Sequence, residues 1–201
     1  MRRGIAYSPI ITHTPQFEEI NQAVKTDDFD SLAAVLSESI NRTAQAGADF
    51  AIMPSNTPHI VFNETAEKST IPVLSILEVT ASHCETHGYK RVGILGTKPT
   101  IRRALYDAPL AKRGIISVYT SESERDLVHD IIQTELIRGI YSKQTCDTLV
   151  SIASRLVPKC DAIILGCTEL PLILNEENCG IKVVDTTRIL AHAALDFAIE
   201  K

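Results

Sequence analysis

A chain of 201 residues, 44% of them hydrophobic, is long enough to bury a packed core and to fold by itself, as one ordinary domain or two small ones. Its 25 acidic residues against 20 basic ones leave a formal charge of -5, and no basic block or aromatic-basic interleaving offers a track for a phosphate backbone, so nucleic acid is set aside as a partner. No apolar run approaches the roughly 18 residues of a membrane span, and "MRRGIAYSPIITHTPQ" turns polar too early for a signal peptide; a cytoplasmic protein with no membrane partner is expected.

Short apolar runs alternate with stretches of helical period, the pattern of an α/β fold with mainly parallel strands flanked by helices. The first predicted strand is "GIAYS". A helix follows in which Asp30 is the expected cap, Leu32, Val35, Leu36 and Ile40 form one apolar stripe, and Gly47 closes the end. The strand "DFAIMP" then runs into a bend and a helix, "IPVLS" into a helix from Glu78 to His87, and "RVGILG" into one from about Thr100 to Lys112. "GIISVY" precedes helices from Glu124 to Ile140 and from Thr145 to Leu156; "DAIILG" runs into a second bend, and "IKVVD" into a helix from Thr186 to Ile199.

The two bends are alike. "GADFAIMPSNTPH" aligns with "KCDAIILGCTELP", setting Asp49 over Asp161 and Ser55 over Cys167; downstream, "IPVLSILEVTASHC" lies over "IKVVDTTRILAHAA", starting 16 residues after Ser55 and 14 after Cys167. The match covers strand, bend, helix, strand and helix in the same order, which reads as two similar α/β lobes facing each other. In parallel sheets the ligand crevice lies beyond the carboxyl ends of the strands, where amides at a helix start point outward and can cradle a carboxylate. "SNT" and "CTE" add hydroxyl and amide donors at both places. A helix start also lowers the pKa of a thiol, so Cys167 is expected to favour thiolate. The five cysteines are scattered without a C-x-x-C pair, arguing against a disulfide frame or a zinc site. His83 and His87 have helical metal spacing but no third ligand nearby, so no metal is expected.

"MPSNTPH" and "LGCTELPLIL", with the "GILGTKPT" turn between them, resemble the aspartate/glutamate racemases that work without pyridoxal phosphate, over nearly the whole chain. The resemblance implies two pseudo-symmetric lobes with the active site between them, a small acidic amino acid as substrate, no cofactor and a homodimer. On this chain the lobes fall at residues 1–88 and 89–185, with 186–201 as a terminal helix packing back on the first lobe. In that family both bends usually carry cysteine, one removing the α-proton and the other delivering a proton from the opposite face. Inverting a stereocentre through a planar carbanion needs an acid and a base on opposite sides of one carbon, which explains a duplicated device. Amide donors around the substrate carboxylate stabilise the enolate-like charge that develops.

Carried over by position, Cys167 matches the second cysteine and Ser55 stands at the first. Asn56, Thr57, Thr97, Thr168 and Glu169 match substrate-binding positions, with Thr100 a weaker candidate; for Asn56 and Thr57, helix capping is the plain alternative. Arg138 aligns with a basic residue that the family points at the side-chain carboxylate, a surface arginine being the alternative. The chain departs from the pattern twice. It begins near the family's second strand, about one βα unit short, which places Ser8 and His13 in the loop that would reach the crevice. And a serine hydroxyl is no base by itself. Ser55 therefore leaves four readings: an introduced substitution, a proton relay through water, one-base chemistry, or lost catalysis. The leading expectation is an aspartate/glutamate racemase using Cys167 and Ser55. The alternatives are a one-cysteine decarboxylase or cis-trans isomerase of a small diacid, and a non-catalytic binder of acidic amino acids.

Overall fold

The computed structural model describes residues 9–200, so the strand expected at "GIAYS" and the site position Ser8 lie outside the described residues. The described chain divides into two compact units, one of residues 9–51 and 61–73 and the other of 52–60 and 74–200.

The first unit contains α1 (Phe17–Lys25), α2 (Phe29–Gln45) and α3 (Phe62–Lys68). Leu32, Leu36 and Ile40 recur at helical spacing along α2 and are buried, while Val35 is half-buried. The N-cap of α2 is Asp28 and not Asp30: its carboxylate accepts from the Ser31 backbone N–H at 3.1 Å. Asp30 falls inside the first turn, where its charge still complements the helix dipole. Gly47 follows the helix at φ +101°, a left-handed conformation that glycine adopts without steric cost. Asn41 on α2 donates to the Lys68 carbonyl at 3.1 Å and accepts from Thr70 N–H at 2.8 Å, pinning the segment after α3.

β1 (Ala51–Ile52) and β2 (Val73–Leu74) form a two-stranded ladder. The second unit is built on β3 (Arg91–Gly96), β4 (Ile116–Val118), β5 (Ala162–Gly166) and β6 (Lys182–Asp185), a sheet in the order β4-β3-β5-β6. Every adjacent pair in it is parallel. β5 is apolar throughout because it is buried on both faces. Ala162 and Ile164 pack with Ile76, Ala81, Tyr106, Leu110 and Leu190 of the core on one face, contributed by α4 (Ile76–Thr86), α6 (Asp107–Ala111), the turn before α6, and α10 (Thr186–Glu200). Ile163 and Leu165 pack on the other face with Val128, Ile132, Leu149 and Ile152 of α7 (Glu122–Thr134) and α8 (Lys143–Ser154). The helix expected over 100–112 is two short ones, α5 (Lys98–Arg102) and α6, separated where Ala104 takes φ +49°. Chain order is completed by α9 (Glu176–Cys179), a single turn before β6.

The internal repeat appears in the caps as well as the pattern. Ser75, just after β2, and Asp185, the last residue of β6, hold equivalent places in the repeat, and each accepts from the backbone N–H three residues on, at Glu78 and Arg188.

Candidate active site

Three neighbouring strands of the second unit end at one edge of the sheet and release polar residues there: Thr97 after β3, Cys167 after β5, Thr186 after β6. Gly96 faces Gly166 across the β3–β5 ladder. A Cβ on Gly96 would stand 2.9 Å from the Gly166 carbonyl oxygen, and one on Gly166 would stand 3.2 Å from the Leu95 carbonyl oxygen. The strand ends therefore approach too closely for side chains, and the glycines are what let Thr97 and Cys167 emerge side by side.

The first bend, residues 55–57, is tied into the same edge. Asn56 is only 3% exposed; its Oδ1 accepts from the Tyr106 hydroxyl, and its Nδ2 donates to Thr186 Oγ1 at 3.1 Å. Thr186 Oγ1 donates in turn to the Leu165 carbonyl at 3.1 Å, two residues before Cys167. Thr57 lies 2.8 Å from Thr97 and 3.2 Å from Thr100, and these last two hydroxyls lie 3.0 Å apart, closing a triangle. The chain Tyr106–Asn56–Thr186–Leu165 ties the first bend to the strand that carries the second. With its amide so engaged, Asn56 keeps one amide hydrogen and its backbone N–H for anything further. Ser55 itself is exposed at the surface of the bend.

Cys167 is buried and donates from Sγ to Glu169 Oε2 at 2.9 Å. Burial pushes its pKa well above the ordinary thiol range, and the Glu169 carboxylate pushes it further, first as hydrogen-bond acceptor and then as a neighbouring negative charge. The expectation of a thiolate is thus corrected: the resting group is the thiol. The helix start invoked for it is not there. Only a three-residue 3-10 turn, Leu170–Leu172, follows Cys167, so the aligned dipoles of an α-helix are missing and the Glu169 and Leu170 N–H groups offer a smaller opposing effect. The first bend likewise opens into a 3-10 turn, Thr57–Val61.

Other expected positions fall differently. Thr168 is half-buried beside Cys167. Arg138 is exposed in the 3-10 turn Leu136–Arg138, with its backbone N–H on the Glu135 carbonyl, and takes no part in the hydrogen bonds that join the bends. His13 lies against α2, 2.8 Å from Ser39 Oγ and 3.2 Å from an Arg42 nitrogen. Three residues of the constellation are not among the site residues expected from the sequence. Thr186 could have been found, since it follows a repeated strand as Cys167 does. Tyr106 sits in an irregular turn with no motif around it. His59, at the end of "SNTPH", is 3% exposed and bonded through both ring nitrogens, to the Ser55 carbonyl at 2.8 Å and to the Ile76 N–H at 3.1 Å.

A family model described as Asp/Glu/Hydantoin racemase matches residues 4–194. A candidate Asp/Glu racemase from Yersinia pestis, known by its crystal structure, superposes with a TM-score of 0.85 at 32% identity, over 94% of this chain and 83% of that one. The broad specificity amino-acid racemase RacX of Bacillus subtilis (strain 168) is 26% identical over 171 residues, 84% of this chain and 73% of its own length. The glutamate racemase of Aquifex aeolicus (strain VF5) is 27% identical over 165 residues, 80% of this chain but only 63% of the Aquifex protein.

Proposed function

This chain belongs to the Asp/Glu/hydantoin racemase family, and from that membership we propose that it racemises aspartate or glutamate, without pyridoxal phosphate, by removing and returning the α-proton. Cys167 is the acid/base on one face of the α-carbon. Ser55 serves the other face, where its hydroxyl and a bound water relay the α-proton to hydroxide from solvent, since neither the hydroxyl nor neutral water is a strong enough base to keep it. The observation that best supports this reading is the hydrogen-bonded junction of the two bends, Asn56 to Thr186 to the Leu165 carbonyl, which keeps the Ser55 turn and the Cys167 turn at one sheet edge.

From the resting state the reaction runs in one sense. The base at the Ser55 face takes the α-proton, and its electron pair spreads into the substrate carboxylate as an enolate. The backbone N–H groups of the bends and the Thr57 and Thr97 hydroxyls stabilise that charge. Cys167 then delivers its proton to the opposite face, and the thiolate left beside the Glu169 carboxylate is reprotonated from solvent through that carboxylate. Turnover of the other enantiomer follows the same steps backwards, so Glu169 must first draw the proton off Sγ. Thr168 lines the substrate on the Cys167 side, and Ser8 and Arg138 complete the binding set. The proposal includes a homodimer, a cytoplasmic location, and lobes at 1–88 and 89–185 with the terminal helix 186–201 on the first lobe.

The test is α-hydrogen exchange of L- and D-aspartate and glutamate in deuterated water, read by NMR, with Cys167→Ala as control and Ser55→Cys alongside. Exchange with inversion that disappears in Cys167→Ala is the expected result. A silent parent with an active Ser55→Cys variant would mark a disabled two-base racemase. Silence in both would end the racemase reading and turn the search to small diacids.

A further inference from the structure

The bend is held on both sides of Ser55: its N–H donates to the Met53 carbonyl at 2.8 Å, and its carbonyl accepts from His59 Nδ1 at 2.8 Å. A carbonyl oxygen can only accept, so Nδ1 must carry a hydrogen; the Ile76 N–H can only donate, at 3.1 Å, so Nε2 must present its lone pair. The two partners thus permit one protonation state, the neutral Nδ1–H tautomer. Burial acts in the same sense, pushing the imidazole down to about 4. Ile76 is the first residue of α4, and Ser75 caps that helix, so His59 ties the bend to the start of a helix whose Ile76, Leu77 and Ala81 are buried in the core of the same unit. The imidazole therefore joins an exposed turn to a fixed element.

We propose that His59 is a positioning residue for the Ser55 face of the reaction: as the neutral Nδ1–H tautomer it holds the Ser55 carbonyl and so sets where the Ser55 hydroxyl and the Asn56 N–H point. The inference rests on the racemase reading for its catalytic consequence, but the positioning itself is independent of any substrate. His59 touches no reacting atom. It acts through the peptide that follows Ser55, the one whose N–H belongs to Asn56. A catalytic group moved by about 1 Å can lose on the order of a hundredfold in rate, so a hydrogen bond that fixes the turn has leverage over the chemistry.

Two substitutions separate the bonds. An asparagine amide nitrogen falls near the place of Nδ1, so His59→Asn keeps the donor to the Ser55 carbonyl and loses the acceptor for Ile76; a glutamine carboxamide reaches the place of Nε2, so His59→Gln keeps the acceptor and loses the donor. Each is made in the parent and in Ser55→Cys, where alkylation of the introduced thiol, located by peptide mass mapping, reports the turn without substrate. Both variants should lower the melting temperature to a similar extent. Alkylation rates should differ between them, and kcat for exchange should be on the order of tenfold or more lower in His59→Gln than in His59→Asn, with little difference in KM.

Equal alkylation rates in the two variants overturn the positioning role, whatever the activity. Separated alkylation rates in chains that are all silent toward amino acids support it while the racemase reading falls. Should neither variant fold, nitrogen NMR of the unmodified protein decides: a hydrogen on Nδ1 with a bare Nε2 supports the inference, and the opposite tautomer overturns it.

Discussion

Replacing Glu169 by Gln removes a negative charge 2.9 Å from the Cys167 sulfur while keeping an amide of the same shape. Two unit charges at that distance repel by about 6 kcal/mol at an effective dielectric of ~20 and by about 1.4 kcal/mol at the value for water, ~80. Glu169 is half-buried, so the result lies between these limits. The Cys167 pKa should accordingly fall by between about one and about four units in Glu169→Gln, since about 1.4 kcal/mol corresponds to one. Burial, the larger cause of the raised value, is untouched, so the thiol stays above its ordinary range by that contribution. A carbon NMR titration of cysteine labelled at Cβ measures this, with Cys167→Ala identifying the resonance. The basic limb of the pH-rate profile should move down by the same amount. A pKa that stays put or rises on removal of the carboxylate would refute the coupling and with it Glu169 as the proton partner of Cys167.

Gly96→Ala should cost about 1–3 kcal/mol in unfolding free energy and depress activity, because the added methyl meets backbone 2.9 Å away at the Gly166 oxygen and pushes apart the strand ends that carry Thr97 and Cys167. Gly47→Ala is the control: nothing lies within 4 Å of its Cβ, so its left-handed φ costs stability alone and the exchange rate is unchanged. Tyr106→Phe should cost about 1–3 kcal/mol by leaving the buried Asn56 oxygen unpaired and should lower kcat through the loosened bend, both readable by denaturant unfolding and exchange kinetics. Asp161 is held below the ordinary carboxylate range by the Lys90 and Arg91 N–H groups, which it accepts at 2.7 and 2.9 Å. A carboxylate depressed in the folded state stabilises the fold above its unfolded pKa, about 3.9, and loses that contribution as pH falls through the folded value. Asp161→Ala should therefore be less stable than the parent at neutral pH, with the difference shrinking on acidification in a thermal-unfolding series.

The frame of the fold was readable because its strands announce themselves in two ways. "RVGILG" and "DAIILG" are continuous apolar runs closed by glycine, and they became β3 and β5 almost residue for residue. The repeat pattern carried further than expected, down to matched caps at Ser75 and Asp185. What could not be read were the features that depend on tertiary contact. The break between α5 and α6 at Ala104 interrupts a run that periodicity joins. The protonation of Cys167 is not legible in the sequence because a strand–bend–helix pattern implies a helix dipole, whereas the chain makes one 3-10 turn and folds Glu169 back onto the sulfur. Glu169 was visible two residues away, but its direction was not. His59 and Tyr106 could not be recognised because their partners, Ile76 and Asn56, lie 17 and 50 residues away in the chain.

The most direct test of two unlike groups acting on opposite faces is the early time course of L-aspartate or L-glutamate in deuterated water, following deuterium in both enantiomers. The account predicts that the D enantiomer, from its first appearance, carries deuterium at the α-carbon, and that Cys167→Ala forms no D enantiomer. A D enantiomer that retains the original hydrogen, or undiminished racemisation in Cys167→Ala, would contradict it.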